Sequence, residues 1–299
     1  MKMKNPTEIA KVRLVKFEDY LLKNAYSPNT AKGYLCDLRL YATWDGNKHP
    51  DIDILDRHDI VAYKAYLKDI QGADSKTINH KLSSIKKYNE YLIDIEAMDT
   101  MVILKKDMCK VQTEFANPTD ITTDEVKQFF DDVKNSNTKT ALRDFAIVYL
   151  LAFTGIRISE CLNLQYRDIN FNEQEMTIHG KGNKQRIVYL NDSVCSVLKD
   201  YLDNNRNATH YGDNIKSQYI FISNRSIKLT TSRVNQIFDI YNDKIHPHSL
   251  RHWFCTNALE KGMLLHEIAN QAGHANIQVT MRYTNPTKQA LKNKMNNLL

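Results

Sequence analysis

Helical periodicity runs through the first hundred residues and restricts what this part of the chain can fold into. Apolar side chains recur there at steps of three and four residues, which places them on one face of each of four successive segments. Residue types that favour helix N-caps precede the segments, at Thr7, Ser27, Asp56 and Ser75. The pattern predicts a bundle of four amphipathic helices that ends near Ile103. The apolar positions that define it are Ala10, Leu14, Phe17, Leu21, Tyr34, Leu38, Tyr41, Ile60, Tyr63, Leu67, Ile70, Ile78, Leu82, Ile85 and Leu92.

A polar stretch at residues 105–121 interrupts this period and contains the dipeptide Asn117-Pro118, which is typical of irregular backbone. At 299 residues the chain also exceeds the roughly 100–200 residues that are usual for one domain. We therefore expect an N-terminal helical domain at residues 1–104, a linker at residues 105–121 and a second domain at residues 122–299.

The second domain adds a small β element to further helices. Two β-prone segments, Glu175–His179 and Arg186–Leu190, flank a glycine-rich turn and predict a hairpin. A further short strand is predicted at Tyr219–Ser223. The fold class is therefore mainly α with a small β-hairpin or sheet, arranged as an N-terminal helical bundle followed by an α+β domain. Helices are predicted at Thr122–Val133, Thr140–Thr154, Ile156–Leu164, Val194–Leu202, Ser232–Tyr241, Ser249–Lys261, Leu265–Ala272 and Ile277–Tyr283.

Composition excludes several classes of protein. The longest apolar run, Ala146 to Phe153, is far shorter than the roughly 20 residues of a membrane-spanning helix. Five scattered cysteines include no pair at zinc-ligand spacing, which argues against a structural zinc site and favours a reducing compartment. A net charge of +6 is compatible with nucleic acid but is too small to indicate it alone. We expect a soluble cytoplasmic protein.

Five short motifs in the second domain carry groups suited to phosphate chemistry, although each has a structural explanation when taken alone. The arginine of TGIRISE can form a surface salt bridge, and the GKGNK turn can be a solvated hairpin tip. The HSLR segment can cap a helix, a histidine after a helix can complement its C-terminal dipole, and most tyrosines serve packing. The groups in chain order are Arg157, Lys181, His248, Arg251, His274 and Tyr283.

In this order and at this spacing, the motifs resemble the tyrosine recombinase, or phage integrase, family, and specifically its compact Xer-like members. The resemblance rests on TGIRISE, HGKGNKQRIVYL, HSLRHWFCT and AGHANIQVTMRYT, and on SPNTAKGYLCDLRLY in the first domain. It implies that the six groups named above form the catalytic set. It also implies that the N-terminal bundle is a SAM-like core-binding domain, which clamps DNA together with the catalytic domain. Trp253, Ala272 and Asn285 depart from the family's commonest residues, which leaves the subfamily open.

These residue types also suit one reaction on chemical grounds. Two guanidinium groups, those of Arg157 and Arg251, can hold a phosphodiester by bidentate, charge-assisted hydrogen bonds while negative charge accumulates on it. A tyrosine hydroxyl with an ordinary pKa of about 10 becomes a nucleophile only beside a cation and a base, here the arginines and a histidine. Lys181, on a hairpin, can protonate the leaving 5′-oxygen. This chemistry requires no metal and no other cofactor.

By resemblance, Tyr283 attacks the scissile phosphate and forms a 3′-phosphotyrosine, His248 acts as acid or base, and His274 hydrogen-bonds the phosphate. The implied enzyme is a site-specific DNA strand transferase that needs neither metal nor ATP and exchanges strands through a Holliday junction. Its implied partners are duplex DNA with short inverted repeats and further protomers in a tetramer, either of this chain or of a related recombinase. The implied location is the cytoplasm, at the nucleoid. Integration, excision and resolution remain open as its biological role.

Further basic residues are weaker candidates for DNA phosphate contacts, since any of them can also be simply solvated. They are Lys184, Arg186, Arg39, Lys76, Lys86 and Lys87. Two other functions remain as alternatives: a non-cleaving DNA-binding accessory protein on the same fold, and a topoisomerase-like enzyme that nicks and reseals one strand. A lost nucleophile or arginine would indicate the first, and assembly of two active sites distinguishes the second from recombination.

Overall fold

The computed structural model describes residues 8–46, 55–111, 121–180, 185–204, 217–224 and 226–274, together with Thr280 and Asn296. The chain divides into two compact units, Met1–Thr113 and Glu114–Leu299, and each has its own hydrophobic core. Within the described residues, no helix is both long enough and apolar enough to cross a membrane. The predicted cap Thr7 and the predicted helix Ile277–Tyr283 lie outside the described residues, apart from Thr280, which is helical.

In the part of the first unit that the structure describes, four α-helices are present, as the periodicity predicts. They are α1 (Glu8–Lys23), α2 (Pro28–Asp45), α3 (Arg57–Ala65), which continues into a π-helical turn (Tyr66–Ile70), and α4 (Ser75–Asp94). Two predicted caps are confirmed, because the Ser27 and Asp56 side chains each accept a backbone N–H of the following helix. The predicted cap Ser75 is wrong by one residue. The carboxylate of Asp74 caps α4 instead and accepts the N–H of Thr77 at 2.8 Å.

The apolar faces of these helices meet in one core. Seven positions of the predicted stripe are 0% exposed, namely Phe17, Leu21, Leu38, Ile60, Leu82, Ile85 and Leu92. Complete burial of a side chain of this size contributes about 1.5–3 kcal/mol. The core, rather than helix propensity alone, therefore holds these helices together.

The start of the predicted linker is held against the first unit. Lys105–Asp107 forms a 3₁₀ turn, and the carboxylate of Asp107 forms a two-pronged ion pair with the guanidinium of Arg57. The Asn79 side chain accepts from the N–H of Cys109 at 2.7 Å and donates to its carbonyl at 2.9 Å. These long-range contacts order a stretch whose polar composition predicts a linker. The domain boundaries drawn from the sequence remain a prediction.

The second unit consists of helices and a small antiparallel sheet. Its elements are α5 (Thr123–Lys134), α6 (Ala141–Thr154), α7 (Ile158–Asn163), a 3₁₀ turn (Tyr166–Asp168), β1 (Ile169–Asn170), β2 (Glu175–His179), β3 (Gln185–Tyr189), α8 (Asp192–Asn204), α9 (Thr231–Tyr241), α10 (Pro247–Glu260) and α11 (Leu265–Ala272). The sheet order is β1-β2-β3, and the predicted hairpin is confirmed with Thr177 opposite Ile187. Strand β1 escapes sequence prediction because its two residues are too few to show an alternating pattern.

The predicted strand Tyr219–Ser223 is wrong. Tyr219 forms an isolated bridge with Gln165, and the residues that follow it are irregular. Ile220 and Phe221 are 0% exposed, so this stretch is apolar because it fills the core. A short apolar run fits a buried irregular segment as well as a strand, and periodicity does not separate the two.

A left-handed glycine ends α6 and directs the chain toward the candidate site. Gly155 has a φ of 63°, and its N–H donates to the carbonyl of Leu151 at 3.1 Å. The ring of Phe254 on α10 lies against it, so that a Cβ on residue 155 would be 2.3 Å from Cδ1 of that ring. Glycine satisfies both the backbone angle and the close approach. The turn places Arg157 at the N-cap of α7.

Candidate active site

Three arginines from different elements converge on the C-terminal end of α11. Nη2 of Arg157 donates to the carbonyl oxygen of Gly273 at 2.8 Å, and Nη1 of Arg251 donates to that of Ala272 at 2.5 Å. Arg186, on β3, also donates to the carbonyl of Ala272, at 3.3 Å. The last carbonyls of a helix lack partners within it and form the negative end of its dipole. The end of α11 therefore gathers guanidinium groups from segments that are far apart in the sequence.

Arg251 is the most enclosed of the three, at 5% exposure, and lies one turn along α10 from His248. Its Nη1 also donates to the carbonyl of Gly155 at 2.6 Å. A buried cation requires such acceptors, since transfer out of water is otherwise unfavourable. Arg251 thus joins the turn after α6 to the end of α11.

Arg157 is more open and carries an acidic neighbour. Its side chain is 46% exposed, and its Nη1 lies 3.0 Å from Oε1 of Glu160, which is 8% exposed. Burial alone would raise the pKa of Glu160, but hydrogen bonds from Arg186 and Arg157 outweigh burial and hold that pKa below its ordinary value. Glu160 is not among the site residues that the sequence motifs predict. The available signal is an acid three residues after the N-cap position, as in a capping box.

Two histidines of α10 face each other one turn apart. Nε2 of His248 lies 2.9 Å from Nε2 of His252, and the two rings meet edge to face. Burial lowers the pKa of His248, and the positive charges of Arg251 and Arg157 lower it further. His248 is therefore neutral at pH 7 and able to accept a proton.

His274, directly after the end of α11, is neutral for the same reasons. Burial and the charges of Arg251 and Arg157 lower its pKa to about 4. Its Nδ1 lies 2.8 Å from Oγ1 of Thr280, a residue that is 0% exposed. When that hydroxyl donates to Nδ1, the single proton of the neutral ring is on Nε2. Thr280 is not among the site residues predicted from the sequence, because a lone threonine carries no pattern.

The structure brings four members of the predicted catalytic set together: Arg157, His248, Arg251 and His274. Lys181, Lys184 and Tyr283 lie outside the described residues. Among the described residues, no group of three or more histidine, cysteine, aspartate and glutamate side chains is placed to hold a metal ion.

The basic candidates of the N-terminal bundle differ in their surroundings. Three of them are exposed, namely Arg39, Lys76 and Lys86. The Lys87 side chain is 20% exposed and forms an ion pair with Glu90 at 2.9 Å. Its Nζ also lies 5.2 Å from the ring centroid of Tyr26. Lys87 therefore takes part in interactions within the bundle, whereas the other three face solvent.

Comparison with known proteins identifies the family. Residues 119–290 match the phage integrase family, and residues 14–95 match the phage integrase N-terminal SAM-like domain. The chain therefore belongs to the phage integrase family of tyrosine recombinases, which confirms the expected family and fold class. Its activity is site-specific DNA recombination, and the family supports this activity over the non-cleaving and topoisomerase-like alternatives.

Individual relatives refine the assignment. The chain is 46% identical over 281 residues to the TnP I resolvase of Bacillus thuringiensis, covering 93% of this chain and 97% of the relative. It is 30% identical over 289 residues to tyrosine recombinase XerC of Pediococcus pentosaceus, covering 92% and 94%. Among solved structures, the XerH site-specific recombinase bound to palindromic difH substrate has a TM-score of 0.70 and 21% identity, over 89% of this chain and 78% of that one, and shows the shared fold.

Proposed function

We propose that this site cleaves DNA by attack of Tyr283 on a phosphodiester held by Arg157 and Arg251. The observation that carries the proposal is the convergence of these two guanidinium groups on the end of α11, where their charges act on the neighbouring rings of His248 and His274. Arginine forks suit a phosphate, which presents two non-bridging oxygens and gains charge during attack. Interactions that strengthen as this charge develops are the ones that accelerate the step.

The step makes one bond to phosphorus and breaks one. The Tyr283 oxygen bonds to phosphorus, the bond to the 5′-oxygen breaks, and a 3′-phosphotyrosine remains. His248 takes the proton of the tyrosine hydroxyl, because a neutral imidazole can act as the base. Lys181 supplies the proton of the leaving 5′-hydroxyl. His274, whose Nδ1 is held by Thr280, donates from Nε2 to the phosphate.

The covalent link retains the phosphodiester energy, so the step needs neither metal nor ATP. The freed 5′-hydroxyl attacks the phosphotyrosine of a partner strand, and two rounds of exchange pass through a Holliday junction. The assembly is a tetramer of this chain, or of this chain with a related recombinase, on sites built from short inverted repeats. XerH, which shares the fold, is bound to a palindromic substrate in its structure, and such a site is what we propose here.

In this proposal the two domains have different roles, one in binding DNA and the other in cleaving it. Residues 1–104 form the DNA-binding core-binding domain, residues 105–121 the linker, and residues 122–299 the catalytic domain. The enzyme works in the cytoplasm at the nucleoid. Phosphate contacts that add affinity without sequence specificity come from Lys184 and from the exposed basic residues of the bundle, namely Arg39, Lys76 and Lys86.

Resolution is the biological role that we favour over integration and excision. The support is a relative named a resolvase, at 46% identity, against 30% for the relative named XerC. A plasmid with two directly repeated sites should be converted into two circles. Fusion of two single-site plasmids as fast as this conversion would instead favour integration.

Covalent capture tests the proposed chemistry. Wild-type protein and the Tyr283→Phe variant are incubated with a library of nicked duplexes, denatured, and the DNA that stays attached to protein is sequenced. Tyr241→Phe, which also removes one hydroxyl from the catalytic domain, is the matched control. We expect wild type and Tyr241→Phe to yield adducts that share a motif, and Tyr283→Phe to yield none.

Other outcomes separate the alternatives. Equal recovery from wild type and Tyr283→Phe would refute Tyr283 as the nucleophile. Tight binding without any adduct would favour the non-cleaving function. Adducts that lead to relaxation of plasmids with one site, but never to exchange between two sites, would favour a topoisomerase-like enzyme.

A further inference from the structure

The carboxylate of Glu160 lies between two guanidinium groups. Arg186 meets it with two parallel hydrogen bonds, from Nη1 to Oε1 at 2.9 Å and from Nη2 to Oε2 at 2.8 Å. Arg157 reaches it with Nη1 alone, 3.0 Å from Oε1, while the backbone N–H of Arg157 donates to Oε2 at 2.8 Å. Because Glu160 is 8% exposed, water competes little for these contacts. Arg186 therefore forms the two-pronged ion pair with Glu160 and engages both oxygens of its carboxylate.

This arrangement decides how Arg157 is presented. An arginine and a glutamate three residues apart on a helix are close enough to pair, and a two-pronged pair would hold the guanidinium against the protein and neutralise its charge. With Arg186 on the carboxylate, Arg157 instead places Nη2 2.8 Å from the Gly273 carbonyl and remains 46% exposed. The charge of Glu160 is then balanced by Arg186, and that of Arg157 is left for an anion.

The guanidinium of Arg186 is committed to acceptors within the protein. Nη1 and Nη2 donate to Glu160, Nη2 also donates to Ala272, and Nε donates to the carbonyl of Gln271 at 3.4 Å. The group passes directly over Gly273, where a Cβ would lie 2.4 Å from Cζ of Arg186. Arg186 thus joins the hairpin strand β3 to the end of α11 and to Glu160.

We infer that Arg186 is a positioning residue: it holds Glu160 so that Arg157 presents its guanidinium to the scissile phosphate, and it does not itself bind DNA. The inference rests on the proposed function, since it takes Arg157 as a phosphate ligand. It replaces the sequence-based hypothesis of an Arg186–phosphate contact, because each of the three guanidinium nitrogens already donates to a protein acceptor.

Arg186→Met in the full chain is the first test, because it removes the fork and keeps much of the side-chain length. The substrate is a nicked duplex that covalent capture has recovered. Two quantities are measured on it: the single-turnover rate of adduct formation at saturating DNA, and the affinity of the protein for the duplex across a series of salt concentrations. We expect the rate to fall roughly 10- to 100-fold. Affinity should stay within about twofold, and its salt slope should not change, whereas loss of a phosphate contact would flatten the slope by about 0.9.

A second substitution separates positioning from a merely structural role. In Arg186→Met/Glu160→Gln the carboxylate of Glu160 no longer draws Arg157 away, so the rate should recover about tenfold relative to Arg186→Met. Arg186→Lys keeps the positive charge but loses the two-pronged geometry of the guanidinium, so its rate of adduct formation should lie between those of wild type and Arg186→Met. If Arg186→Met does not fold, Arg186→Lys replaces it in the comparison with wild type. Arg233→Met, which removes one exposed arginine from α9, is the matched control and should behave as wild type.

The outcomes are distinguishable. A flattened salt slope with an unchanged rate at saturating DNA would make Arg186 a phosphate ligand and overturn the inference. A double variant slower than Arg186→Met would show a structural role and also overturn it. If wild type forms no adduct through Tyr283, the proposed function itself fails. If wild type and Arg186→Met form the adduct equally fast, the inference alone fails.

Discussion

Replacement of Gly155 by alanine tests whether the turn after α6 fixes the arginine cluster. A Cβ there would lie 2.3 Å from Cδ1 of Phe254, and the φ of residue 155 is +63°. The left-handed conformation alone costs an alanine about 1–2 kcal/mol. Displacement of the buried ring adds about 1–3 kcal/mol, as overpacking of a core does. We expect the free energy of unfolding of the second unit to fall by about 2–5 kcal/mol in total.

Gly262→Ala provides the matched control for this substitution. Gly262 lies in the same unit with a φ of +90°, and among the described residues no heavy atom outside its chain neighbours lies within 4 Å of its added Cβ. Only the backbone cost, about 1–2 kcal/mol, should remain. Urea denaturation gives both values, with Trp253 fluorescence reporting the second unit in a Trp44→Phe background, since the chain has 2 tryptophans.

Equal losses from the two alanine substitutions would refute the reasoning, because the contact with Phe254 would then carry no penalty. The site provides a second readout. The carbonyl of Gly155 accepts from Arg251 at 2.6 Å, so Gly155→Ala should slow adduct formation more than Gly262→Ala under conditions where both are folded. Phe254→Leu in the Gly155→Ala chain makes room for the methyl group and should restore part of the rate.

Three further predictions concern other parts of the chain. Thr280→Val removes the hydroxyl that holds Nδ1 of His274 and should slow adduct formation about tenfold, whereas Thr280→Ser should not; equal rates would show that the hydroxyl does not matter. The folded-state pKa of His274 is about 4 against an ordinary 6.5, so the unfolded chain takes up a proton that the folded chain does not. Stability should therefore fall as the pH drops from 6.5 toward 4, and His274→Gln should flatten this dependence in denaturation curves. Asp107→Asn weakens the pair with Arg57 and should lower the free energy of unfolding of the first unit by about 1–3 kcal/mol, whereas Lys106→Gln on the same turn should leave it nearly unchanged.

The helices could be predicted from the sequence because their signal is local. The four helices of the first unit are confirmed, and each described helix of the second unit agrees with its predicted bounds to within two residues at either end. Where the prediction failed, the deciding contact was distant in the chain. Residues of the predicted linker are ordered by Arg57 and Asn79, and the apolar stretch at Tyr219–Ser223 is irregular chain that fills the core. Neither fact is visible in a window of ten residues.

The candidate site shows the same division. The order of motifs identified Arg157 and Arg251, which the structure places at one helix end. The residues that hold the side chains of the site in place could not be predicted, because their contacts exist only once the chain has folded. Glu160 looks like an ordinary capping acid until Arg186, 26 residues later, meets its carboxylate. Thr280 belongs to no sequence pattern, and its role is visible only from the contact of its hydroxyl with Nδ1 of His274.

The charges of the arginine cluster bear on the proposed cleavage step. Among the described residues, Glu160 pairs with both Arg157 and Arg186, whereas Arg251 donates to the carbonyls of Gly155 and Ala272. A phosphodiester carries one negative charge, and attack by an oxygen nucleophile raises that charge toward two. In the proposed step, guanidinium groups that bind the phosphate more strongly as this charge develops would accelerate cleavage. Because the neighbouring histidines have lowered pKa values, we expect the rate of the step to change little with small shifts in pH near 7.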